Sequence, residues 1–107
     1  MKLIIAIINR DDSSHVIKHL TKAGFSSTKT ASTGGFLQSG NVTIFVGVEN
    51  EKVDEVIGII EKYSHSRKQF VPSAAESYFG YCNTVPVEVT VGGATVFVLD
   101  AERFVKL

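Results

Sequence analysis

The residues of this chain that are suited to chemistry are gathered in one polar stretch, residues 28–41, Thr-Lys-Thr-Ala-Ser-Thr-Gly-Gly-Phe-Leu-Gln-Ser-Gly-Asn. Four hydroxyl residues, Thr28, Thr30, Ser32 and Thr33, lead into Gly34-Gly35. An apolar pair, Phe36-Leu37, follows, and Ser39-Gly40-Asn41 closes the stretch. Glycines let a ligand come close to the backbone. Exposed backbone N–H groups and hydroxyls in such a turn suit an anion, typically phosphate. A Phe in a polar loop offers a flat face on which a base can stack. Together these features describe a nucleotide site. Read without a ligand, Gly-Gly-Phe-Leu is a connection with one anchor tucked into the core.

Known phosphate motifs are excluded. The Lys-Ser/Thr that closes a Walker A loop is missing. Gly34, Gly35 and Gly40 do not have Rossmann spacing, and no helix pattern follows them. Other candidate constellations are weaker. His15 and His19 are four apart and share a helix face, but they lack the partners of a metal site and read as solvated, as does His65. Nothing in their spacing supports Cys82, His65 and Asp100 as a nucleophilic set. Glu88 lies between two valines and reads as an outward or intersubunit charge. Asp11-Asp12 reads as helix capping. Tyr78, Phe79 and Tyr81 suit packing or a ligand. No catalytic or metal-binding residue is assigned.

The elements that must position this stretch fit one domain, residues 1–107, with a modest core. Apolar residues make up 44% and charged residues 21%, a globular balance. Eleven basic residues offset eleven acidic ones, so the basic footprint of a nucleic-acid binder is missing. The longest apolar run, residues 3–8, is too short to span a membrane and lacks the flanks of a signal peptide. One cysteine, Cys82, permits no internal disulfide and points to the cytoplasm.

Residues 3–8 are β-branched and continuous, which reads as a strand buried on both faces. Asn9 to Ser14 offers several N-caps. Val16, Ile17, Leu20 and Ala23 then form one helix face, ended by Gly24. Residues 25–30 and 42–48 read as strands, and Gly47 inside the second marks a close backbone or ligand approach. Asn50 is expected to cap a second helix with the stripe Val53, Val56, Ile57, Ile60. Residues 69–71 suggest a short strand, and residues 72–84 a second loop. Residues 85–91 alternate, and Gly92-Gly93 reads as a two-residue hairpin turn joining them to 94–99. The order gives an α+β, ferredoxin-like βαββαβ fold with an added C-terminal hairpin strand. Two helices cover one sheet face only. A homo-oligomer that packs the other faces together is the economical cover.

At this point the chain resembles a known family, the PII-like cyclic di-AMP receptors of Gram-positive bacteria. The resemblance is carried by the start Met-Lys-Leu-Ile-Ile-Ala-Ile, by Thr28-Lys29, by Thr33-Gly34-Gly35-Phe36-Leu37 and by Gly40-Asn41. It continues through Gly47-Val48, Val53-Asp54-Glu55, Tyr81, Pro86-Val87-Glu88-Val89 and Gly92-Gly93-Ala94-Thr95-Val96-Phe97-Val98-Leu99. It implies a homotrimer with cyclic di-AMP in three clefts between subunits, at the base of a large loop at about 31–41, with the second loop nearby. By position, Thr28 and the backbone at Gly35 and Phe36 would meet phosphate or base. Phe36 and Leu37 would pack an adenine, Asn41 would bond its edge, Gly47 would leave room, and Phe97 would line the site from the hairpin side.

Three positions depart from the family pattern. Ser26 stands where the family commonly has an arginine, Gln38 where another is frequent, and Lys106 where a glutamine is expected. A charge-assisted contact is worth about 1.5–3 kcal/mol, so the resemblance implies binding weakened by roughly one to two decades. Lys106 or Lys29 would restore some charge. The implied function is a non-enzymatic signal receptor whose loop orders on binding and alters contact with a downstream protein partner. The alternatives are a trimer that senses another adenine nucleotide or acts as a scaffold and, ranked lower for want of a general base, a small nucleotide hydrolase.

Overall fold

The computed structural model describes residues 1–30, 40–71 and 87–107. Strand β1 (Lys2–Asn9) leads into helix α1 (Arg10–Lys22), then strands β2 (Ser27–Thr30) and β3 (Asn41–Val48). A 3-10 turn (Asn50–Lys52) opens helix α2 (Val53–Ser64), followed by β4 (Arg67–Val71), β5 (Val87–Val91) and β6 (Ala94–Asp100). The described strands form a four-stranded sheet in the order β2-β3-β1-β6 and a two-stranded sheet of β4 and β5. Every pairing is antiparallel. This α+β arrangement is consistent with the ferredoxin-like plan.

Strand parity builds the core. Ile4, Ala6 and Ile8 of β1 sit opposite Val46, Ile44 and Val42 of β3, and all six are buried. Val16 and Leu20 of α1 and Val56 and Ile60 of α2 close over that face. β1 is therefore fully buried on one face only. Leu3, Ile5 and Ile7 are half-buried, a correction to the double-sided burial its apolar run predicts. Among the described residues both α-helices are spent on one face, and no helix covers the other.

The caps are local chemistry. Asn9 caps α1 by accepting from the Asp11 N–H at 2.9 Å. Asp11 and Asp12 therefore lie in the first turn and do not cap the helix. At the other end Gly24 has φ +90, the Phe25 N–H donates to Leu20 at 2.9 Å, and the Gly24 N–H donates to Thr21 at 3.0 Å. This is the Schellman closure that the glycine signals. α2 differs from expectation. The 3-10 turn precedes it, and Lys52 stands at its N-cap with no side-chain cap bond, so Asn50 does not cap.

The turn at Gly92-Gly93 is also corrected. β5 pairs with β4, not with β6, and β6 pairs with β1 from Lys2↔Asp100 to Ile8↔Ala94. The extra hairpin is inserted between α2 and the last sheet strand rather than added at the C-terminus. Gly92 (φ +77) and Gly93 (φ +87) form the corner between the two sheets. A side chain at Gly92 would stand 2.5 Å from an Arg67 guanidinium nitrogen. The seven-residue match along the free edge of β1 outweighs the hairpin signal of two glycines.

The two-stranded ribbon is tied to the body at its base. Arg67 donates to both carboxylate oxygens of Asp12, at 2.9 and 3.2 Å. It also donates to the His65 carbonyl at 3.3 Å, and the Gly93 N–H donates to the Ser64 carbonyl. Asp12 is buried. A two-stranded ribbon alone is marginal in water, so this anchor matters.

Candidate functional site

The strand register arranges the open face of the sheet. Thr28 pairs with Phe45, Phe45 with Ile5, and Ile5 with Phe97, so these four form one row across the four-stranded sheet. The next row is Gly47, Leu3 and Leu99. Both rows alternate with the buried residues and therefore face away from the helices. Phe97 and Leu99 are 46% and 45% exposed, which leaves an apolar band on this face.

At the β2–β3 end of the face lies an open cleft of about 540 Å³. Ser26, Thr28, Phe45 and Gly47 come from the sheet side, Glu49 and Lys52 from the turn before α2, and Phe104 and Lys106 from the C-terminal tail. The tail reaches the cleft because β6 ends beside the start of β1, where the Ala101 N–H donates to the Met1 carbonyl at 3.1 Å. Phe104 lies across Gly47: a Cβ there would be 3.9 Å from the Phe104 ring and 4.0 Å from the Met1 methyl. Gly47 does not have positive φ among the glycines of the described residues. What a glycine supplies at this position is space rather than an unusual backbone conformation.

The structure brings Ser26, Thr28 and Gly47 together in the cleft. It does not bring Asn41 or Phe97 to them within one chain. Asn41 is the first residue of β3, opposite Asn9, and half-buried. It lies six positions along β3 from Gly47, about 20 Å at the usual rise. Phe97 lies three strand spacings from Thr28, about 14 Å. Gly35, Phe36, Leu37 and Gln38 lie outside the described residues, as do Tyr78, Phe79, Tyr81 and Cys82. Phe45, Glu49, Lys52 and Phe104 line the cleft although the sequence pattern did not single them out. A Phe in the polar C-terminal tail was the one available signal.

Charges around the site are loosely held. Lys52 lies 3.5 Å from Glu55, and both are well exposed. Lys2 bonds Asp100 across the β1–β6 pair, which holds the Asp100 carboxyl below the usual carboxylate range through that hydrogen bond and the lysine charge. The hydrogen bond and charge of Asp12 raise Arg67 above the ordinary arginine value. The histidine pair is not simply solvated. His19 stacks on Tyr63 at 3.7 Å, and its Nδ1–H donates to the His15 carbonyl at 2.7 Å, so it joins α1 to α2. Glu88 is exposed and pairs with Lys68 at 3.1 Å. Among the described residues no group of three or more His, Cys, Asp or Glu is placed to hold a metal. No helix there is long and apolar enough to cross a membrane.

A concave site of hydroxyls, lysines and aromatic rings on an antiparallel sheet suits an anionic aromatic ligand. The chain belongs to the cyclic-di-AMP receptor family, whose model matches residues 1–107. The fold is shared with a crystal structure from Pediococcus pentosaceus ATCC 25745, described as a functionally unknown protein, at a TM-score of 0.79 and 40% identity. That likeness covers 99% of this chain and 96% of the other.

Proposed function

We propose that the protein is a non-enzymatic signal receptor that binds cyclic di-AMP in clefts between the subunits of a cytoplasmic homotrimer. Membership of the family supports the ligand. The observation that carries the site is the cleft holding Ser26, Thr28 and Gly47. Its volume of about 540 Å³ falls in the usual range for small-molecule sites, about 300–1,000 Å³. The hydroxyls of Ser26 and Thr28 suit phosphate oxygens, and the Phe45 and Phe104 rings beside Gly47 suit a base.

The trimer explains what one chain leaves unfinished. Phe97, on the far edge of the sheet, reaches a ligand at Thr28 if it comes from a neighbouring subunit. The same contact covers the exposed apolar band of Phe97 and Leu99. Ligand would order the segment that carries Gly35, Phe36 and Leu37 and so change the surface offered to a downstream protein.

Isothermal titration with cyclic di-AMP, alongside cyclic di-GMP, AMP and ATP, tests the ligand. Light scattering tests the assembly. The reading expects selective binding near one ligand per subunit, with the ligand recovered intact, on a species of three times the chain mass. A trimer that ignores cyclic di-AMP but binds another nucleotide overturns the ligand and leaves the assembly standing. Consumption of the ligand overturns the receptor role.

A further inference from the structure

We propose that Lys52 and Lys106 are the phosphate-contacting cations of the cleft. This inference rests on reading the cleft as a nucleotide site, and it assigns the positive charge that Ser26 does not supply. The cleft is lined by two lysines, Lys52 and Lys106, against one carboxylate, Glu49. Its hydroxyls on the sheet side, Ser26 and Thr28, are neutral. Among the described lining side chains, the full positive charges lie on the turn before α2 and on the tail.

Geometry removes the other basic candidate. Lys29 follows Thr28 in β2 and pairs with Ile44, a buried residue of the helix-facing side. Successive strand residues point to opposite faces, so Lys29 is directed away from the cleft that Thr28 lines. Sequence alone left Lys29 and Lys106 equal; the strand register separates them.

Both lysines are placed by the backbone, and neither ammonium has a buried partner among the described residues. The Lys52 N–H donates to the Glu49 carbonyl at 2.9 Å, which fixes the turn. Its ammonium has an exposed partner, Glu55 at 3.5 Å, and an exposed pair of this kind is weak enough to exchange for phosphate. Lys106 makes no ion pair within the described residues. The tail that carries it is placed by the Ala101–Met1 hydrogen bond and by Phe104 over Gly47. A lysine is a flexible point charge, suited to a phosphate whose other contacts are hydroxyls.

The test is titration of the full chain with cyclic di-AMP at several salt concentrations, for wild type, Lys52→Gln, Lys106→Gln, the double variant and Lys29→Gln. Each single cleft variant should weaken binding about 1.5- to 5-fold, the scale of an exposed ion contact. The double variant should also flatten the salt dependence, Lys106→Arg should restore affinity, and Lys29→Gln should bind like wild type. Light scattering should show the same assembly for all. If wild type binds but the double variant keeps both affinity and salt dependence, the assignment of these lysines is overturned and the site reading survives. If wild type does not bind, the site reading falls and takes the assignment with it.

Discussion

Gly47 separates what the fold needs from what a ligand needs. Its backbone is in a region any residue adopts, and an added Cβ would meet Phe104 and Met1 at 3.9 and 4.0 Å, ordinary contact distances. Glycine inside a strand costs about 0.5–1 kcal/mol relative to alanine. Gly47→Ala should therefore raise stability by about that amount. The melting temperature should rise by about 2–8 °C for a domain of this size, measured by thermal unfolding at fixed protein concentration because the proposed assembly would make the midpoint concentration-dependent. Gly47→Leu instead goes beyond that contact and pushes on the Phe104 ring and the tail that lines the cleft. It should fold but lose cyclic di-AMP affinity by about 10- to 100-fold, about 1.4–2.7 kcal/mol. A destabilised Gly47→Ala would mean that the strand itself requires glycine. A Gly47→Leu protein that titrates like wild type would mean that the ligand does not use this cleft. Either result refutes the reading of Gly47.

Three further outcomes follow from the geometry. Asp12→Asn removes the charged partner of Arg67, so amide exchange in β4 and β5 should speed up roughly several-fold while that of β1 is unchanged; equal protection in both proteins would show that the ribbon is held by other contacts. The Asp100 carboxyl is lowered by Lys2, so its contribution to stability is present above the unfolded value, about 3.9, and is lost as pH falls through the lower folded value. Wild type and Asp100→Asn should accordingly differ in melting temperature near neutrality and converge in acid, and a gap that persists at the lowest pH would contradict the pairing. Phe97→Asp places a charge on the exposed apolar band, so on the proposed trimer light scattering should find smaller species, and an unchanged mass would put any subunit interface elsewhere.

Much of the sheet was legible because its signals are local. Alternating and β-branched runs marked β1, β3 and β5, and the step of three and four marked α1 and α2. Gly24 announced its own Schellman turn. The failures were questions of partnership. Gly92-Gly93 looks the same whether the strand after it turns back on β5 or leaves for the edge of β1. Only the matching of seven residues on β6 against β1 decides, and no local pattern contains that match. Asp12 fails in the same way. Beside Asp11 it reads as a capping acid, yet its partner Arg67 stands 55 residues later.

The cleft was half legible for a related reason. Thr28 and Gly47 announced themselves as a hydroxyl and a strand glycine, and the β2–β3 register then set them on one face. Phe104 and Lys106 reach the same cleft only because β6 runs antiparallel to β1 and ends beside Met1. The tail is thus delivered to the site by the pairing that displaced the expected hairpin. The inserted ribbon and the charged tail are one topological consequence: once β6 takes the edge of β1, β5 must find β4, and whatever follows Asp100 must pass Gly47. A lysine in that tail can then supply the positive charge that Ser26, on β2's side of the same cleft, does not.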